Sequence, residues 1–130
     1  MKVLHLTLKA TWFDMIACGE KKQEYRDLKP FWVKRLCDEH KGQMGGDFVD
    51  KHKVIAYTFK PFTHVCFARG GHFHPSLPQI TLECKGIEIA TGKSEWGAEP
   101  GKEYFVIQLG EIVALPNSIT IKQRSVANVD

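Results

Sequence analysis

Apolar residues in this chain recur at every second position, in runs too short to be anything but strands. Leu4, Leu6 and Leu8 alternate with His5 and Thr7, and a period of two puts one set of side chains on one face of an extended segment. The longest such run, Ile80–Ala90, changes phase partway. Ile80, Leu82 and Cys84 keep one parity and Ile87 and Ile89 take the other. The shift falls at Gly86, which predicts a β-bulge that bends the strand. Further strands are expected at Val54–Phe59, His64–Arg69 and Tyr104–Leu109, with Ile112–Leu115 continuing the last and Ile119–Ile121 adding a short edge. Lys21–Arg26 is polar yet alternating, as suits an edge strand or one facing a cleft.

Helical signals are confined to the first third. Thr11 is placed to cap a short helix, with Asp14 three residues on. Trp12, Phe13, Ile16 and Ala17 give that helix an apolar side, and Gly19 ends it as a left-handed C′ residue. A second helix is predicted from Pro30 to about Asp38, with Phe31, Val33, Leu36 and Cys37 available for packing. Gly42, Gly45 and Gly46 make residues 39–53 a long loop. With no repeat and no linker, the chain reads as a single α+β domain spanning residues 1–130, its tail 125–130 frayed. Its expected architecture is a small mixed β-barrel of five to six strands with two short helices packed at its side.

Charge is unevenly distributed. Residues 1–60 hold 12 Lys+Arg against 8 Asp+Glu, whereas residues 61–130 hold 6 against 7. The positive potential belongs to the first half, which suits an anionic partner. No apolar run is long enough to cross a bilayer, and the alternating N-terminus does not resemble a signal peptide, so a cytoplasmic protein without membrane association is expected. Cys18, Cys37, Cys66 and Cys84 lie far apart among apolar neighbours, as reduced core residues do.

The segment Gly19-Glu20-Lys21-Lys22-Gln23-Glu24-Tyr25-Arg26 has the form GxKxxExR. Gly19 permits a tight turn. In an extended segment Glu24 and Arg26 share a face that Lys22 can join, while Lys21 sits at the turn. By residue type alone Glu24 and Arg26 form an ion pair that ties the strand to a neighbour. Placed after a first strand and a short helix, however, the segment resembles the signature of the ASCH family, relatives of the PUA-like RNA-binding barrels. Glu83–Ile87, Glu95–Gly97 and Tyr104–Gly110 resemble later strands of its small bacterial and phage members, and the likeness runs from about Val3 to Leu115.

The resemblance implies an RNA- or nucleotide-binding module with Lys21, Glu24 and Arg26 at the core of a basic cleft. Cations offer phosphate contacts there, and the carboxylate offers an acceptor for a base amino group or a sugar hydroxyl. An alternative is hydrolysis, with Lys21 and Glu24 catalytic. Some small members carry Lys-x-x-Thr and act as amidohydrolases on N4-acetylcytidine, with a glutamate from a later strand; others are thought to cut RNA. In this chain Glu24 replaces the threonine, and the later acid is one of Glu83, Glu88 and Glu103. A protein-interaction domain with a vestigial cleft is the remaining alternative.

Around this core, Arg69 precedes Gly70-Gly71 at a strand end and is a phosphate-contact candidate. Trp96 and Tyr25 are each either a base-stacking surface or a packing residue. Trp12, Phe13, Phe31 and Trp32 are most simply helix packing residues. Gly86–Ser94 imitates a phosphate-binding loop but has five residues between its glycines where four are needed. His64-x-Cys66 and His72-x-His74 lack any repeated zinc spacing, so no metal and no cofactor are expected.

Overall fold

A computed structural model of the chain describes residues 1–39, 58–71, 74 and 76–115. Among the described residues the chain is α+β: a mixed five-stranded sheet whose strands lie in the order Val3–Leu8, His64–Arg69, Gln79–Thr91, Glu103–Ala114 and Gln23–Arg26, a second sheet of two short strands, and two short α-helices. The backbone groups into two compact units, Met1–Lys22 with Phe62–Lys85 and Leu109–Asp130, and Gln23–Pro61 with Gly86–Gln108. The expected loop beyond residue 39, strand residues 54–57, the edge at 119–121 and the tail lie outside the described residues.

In the first unit, β1 (Val3–Leu8) pairs in parallel with β5 (His64–Arg69), from Val3 opposite His64 to Leu8 opposite Arg69. Leu4, Leu6 and Leu8 are buried as their alternation predicts. Strand β5 is buried continuously from Val65 to Ala68, because it has β1 on one side and antiparallel β6 (Gln79–Thr91) on the other. Helix α1 (Ala10–Ala17) buries Phe13 and Ile16.

This helix starts earlier than Thr11 predicts. Its N-cap is Lys9, in extended conformation, whose carbonyl accepts from the Phe13 N–H at 3.0 Å. Strand β1 still holds the chain at Leu8, whose carbonyl accepts from the Gly70 N–H at 2.7 Å. The turn into the helix therefore falls on Lys9, leaving Thr11 inside and exposed. Asp14 is not in the first turn and serves elsewhere. The other end is as predicted: Gly19 has φ +87°.

In the second unit, β2 (Gln23–Arg26) runs antiparallel to β7 (Glu103–Ala114), with Gln23 opposite Gln108 and Arg26 opposite Phe105. Helix α2 (Pro30–Leu36) has its proline in the first turn and buries Val33 and Leu36. It ends two residues before the expected Asp38, because Cys37 turns extended and opens β3 (Cys37–Glu39), paired with β4 (Thr58–Phe59). Phe31 does not pack inward as expected; it is 64% exposed.

Strand β6 runs unbroken through the predicted phase change. Gly86 takes φ +135°, a conformation that L side chains rarely adopt, with open space where a Cβ would sit. Backbone conformation, not crowding, therefore calls for glycine at this position. The four cysteines are free, and Cys37 and Cys66 are buried as read from their neighbours. Cys18 departs from that reading: it is the exposed C-cap of α1. No helix among the described residues is long and apolar enough to cross a membrane.

Candidate functional site

The glycine-led segment begins as a helix terminator. The Gly19 N–H donates to the Ile16 carbonyl at 3.1 Å and the Glu20 N–H to the Met15 carbonyl at 2.9 Å, the paired bonds of a Schellman motif. The Lys21 N–H donates to the same Met15 carbonyl at 3.0 Å. The helix end thus fixes the lysine's backbone directly. One residue on, the Lys22 carbonyl accepts from the Leu109 N–H at 3.1 Å.

These contacts set one wall of a cavity of about 390 Å³ in the first unit, within the usual range for small-ligand sites. Lys21, Lys22 and Lys85 line it with a single carboxylate, Glu111; Ile16, Leu82, Leu109 and Ile112 supply apolar surface, and Gly19 and Gly110 supply backbone. Lys21 is only 2% exposed, with its ammonium 5.8 Å from the centre of the Trp12 ring, within cation–π range. Lys22 and Lys85 are exposed. Three ammonium groups against one carboxylate favour an anion, and the aliphatic lining favours a ligand with an apolar or aromatic body.

Gly110 is closely approached by two side chains. A Cβ there would stand 2.7 Å from Glu83 Oε1 and 3.1 Å from Lys85 Cγ. Glu83 in turn accepts from the Glu111 N–H at 3.2 Å. Of the three later-strand acids proposed from sequence, Glu83 is the one against this wall. Glu88 accepts from Gln108 at 2.6 Å in the second unit, and Glu103 begins β7.

The rest of the motif lies in the second unit. Glu24 is buried on β2 and ion-pairs with Arg26, as residue type alone suggests. The Arg26 guanidinium also donates to the Tyr25 carbonyl at 3.2 Å and lies 5.1 Å from the Trp32 ring centre. Tyr25 faces the opposite way, into a cluster with Ala98, Tyr104 and Val106 against which Trp96 packs. Its ring is 5.5 Å from that of Tyr104. Its hydroxyl donates to Gln23 Oε1 at 2.7 Å and accepts from the Lys93 N–H at 2.9 Å. Burial pushes the Tyr25 phenol above its ordinary range, partly offset by the bond from Lys93. Trp96, half-buried in a 3-10 turn (Ser94–Trp96), has the Lys93 ammonium 4.7 Å from its ring centre.

Arg69 is held by a bidentate pair to Asp14 on α1, at 2.9 and 3.0 Å. That bond pushes the guanidinium pKa up. Neither Arg69 nor Trp96, Tyr25, Glu24 or Arg26 lines the cavity around Lys21. His64 Nδ1 contacts the Thr63 hydroxyl and His74 Nδ1 the Ser76 hydroxyl, both at 2.8 Å, while His72 lies outside the described residues. Among the described residues no group of three or more His, Cys, Asp or Glu gathers as a metal site would.

Sequence reasoning missed Lys85 and Glu111. Lys85 had a signal: it is the one cation in β6 and stands immediately before the phase-breaking Gly86. Glu111 had none, since nothing in the sequence separates it from other strand acids. No family model matches this chain, and no curated protein and no solved structure is significantly similar to it.

Proposed function

We propose that this chain is an RNA- or nucleotide-binding domain of the ASCH type, with a PUA-like fold, that holds its ligand's phosphate at Lys21, Lys22 and Lys85. The observation that carries the reading is the buried Lys21 on the wall of a cavity where two more lysines converge. The lining carries three lysines against one carboxylate, a balance of charge that suits an anionic group. The aliphatic part of the lining suits the base or sugar of a nucleotide. Glu111 supplies an acceptor for a hydroxyl or an amino group.

A second reading, hydrolysis of an acylated nucleoside, is favoured by one observation: Glu111 shares the cavity with Lys21, and Glu83 bonds to its backbone. Glu24 in place of the threonine weighs against it, because the hydroxyl nucleophile is missing.

Fluorescence anisotropy of a labelled single-stranded RNA, titrated at several salt concentrations, tests the first reading. Each phosphate charge that is neutralised adds about 0.7 to the magnitude of the log–log salt slope, and Lys85→Met should reduce that magnitude. Lys21→Met keeps the aliphatic packing and removes the charge, and it should weaken binding. Salt-independent binding, or unchanged affinity in both variants, would overturn the assignment. Incubation with N4-acetylcytidine in parallel reads out the hydrolase alternative through release of acetate.

A further inference from the structure

Helix α2 presents an aromatic side chain to solvent where its sequence predicts packing. Phe31 is 64% exposed, although Val33 and Leu36 on the same helix are buried. It is not a loose ring: it meets Trp32 edge to face, with centres 4.8 Å apart, and Trp32 is itself covered by the Arg26 guanidinium at 5.1 Å. A ring fixed in this way loses little further freedom on binding, so its open face is pre-organised for a flat partner.

Its surroundings specify the charge of that partner. Lys34 and Arg35 lie three and four residues after Phe31 and so share its face of the helix. The helix itself contains no acid. Lys29 precedes it, and the Lys60 ammonium donates to the Lys34 carbonyl at 3.2 Å, adding a fourth cation at the same helix. The acids that flank the helix in sequence are Asp27, which pairs with Lys29 at 3.7 Å and Lys102 at 3.2 Å, and Asp38 and Glu39 on the strand that follows. An exposed aromatic ring on a helix whose own charged residues, Lys34 and Arg35, are both cations fits a polyanion that carries flat rings, as a single-stranded nucleic acid does. Stacking on such a face is tolerant of sequence, since every base has a π-face.

We infer that Phe31, set on Trp32 and flanked by Lys34 and Arg35, is a stacking platform for an unpaired base of single-stranded RNA. This rests on the nucleic-acid reading above and adds to it a contact for a base on the second unit.

The test compares a ten-residue oligoadenylate with an abasic oligonucleotide of equal phosphate count, on the wild-type chain, Phe31→Ala, Phe31→Trp and Lys85→Met. Phe31→Ala should weaken oligoadenylate binding by about 5- to 150-fold, while leaving abasic binding and the melting temperature unchanged. Phe31→Trp should keep wild-type affinity. If Phe31→Ala binds oligoadenylate as the wild type does while Lys85→Met is weakened, the platform is wrong and the cavity reading stands. If the wild type binds neither oligonucleotide, both are wrong. If Phe31→Ala instead abolishes a concentration-dependent dimer in sedimentation and leaves RNA binding intact, the surface belongs to a second copy of the chain and the platform is overturned.

Discussion

Gly92→Ala probes whether Tyr25 is locked into the second unit. A Cβ at position 92 would lie 2.5 Å from Tyr25 Cζ, 2.6 Å from Cε1 and 2.8 Å from Ala98 Cβ. Ordinary carbon contacts begin about 1 Å further out, so the ring or the backbone must retreat by roughly that much. The ring has little room, with Tyr104 beside it and its hydroxyl bonded to Gln23 and to the Lys93 N–H. Overpacking costs about 1–3 kcal/mol, and the loss of one such hydrogen bond adds about 0.5–1.5 kcal/mol. The expected destabilisation is therefore about 2–4 kcal/mol. For a chain of this length that is a fall in melting temperature of about 6–15 °C, read by calorimetry. Tyr25→Leu vacates the space the new methyl needs, so Gly92→Ala should cost much less in that background, a coupling that a double-mutant cycle measures. A melting temperature within about 2 °C of wild type for the single variant, or strictly additive effects, would refute the close packing of Gly92 on Tyr25.

Two further outcomes follow from the charges and thiols. Burial pushes the Cys37 thiol up to about 11, partly opposed by the Lys60 charge. With the folded pKa above the unfolded one, its contribution is fully present below about pH 9 and is lost as pH rises to about 11, a decline of up to about 2–3 kcal/mol. Urea midpoints should fall more steeply over that range in the wild type than in Cys37→Ala, and equal slopes would contradict the burial argument. Arg69→Ala should cost less than about 1 kcal/mol, because its pair with Asp14 is largely exposed. The cost should shrink in 0.5 M salt, and a loss above about 2 kcal/mol would show that the pair is more deeply embedded than its exposure implies.

The strands were legible where a single periodicity governed them. Val3–Leu8 and His64–Arg69 match their predicted limits, since alternation in one and a continuous apolar core in the other each admit one reading. Gly19 and Pro30 worked as punctuation because their preferences are built into their own backbones. The signals that failed were those a neighbour can overrule. Thr11 is a good cap, but the hold of β5 on Leu8 moved the turn to Lys9. Phe31 is hydrophobic, but helix geometry gave the inward positions to Val33 and Leu36. In the candidate site Lys21 was legible through its motif. The convergence of Lys85 and Glu111 was not, because it arises from strands distant in sequence and no local pattern encodes a long-range meeting.

The pairing of Gln23 with Gln108 has a consequence for how the chain is made. When synthesis has passed Pro100, β2 and the helix that follows it have been made, but not the strand against which β2 must close. Until that later segment emerges, Glu24 and Tyr25 have no ladder to join, and the Tyr25 ring stays wet. Closing so wide a gap is entropically demanding and slow compared with helix formation. The second unit is therefore completed only after every residue between Gln23 and Gln108 has emerged.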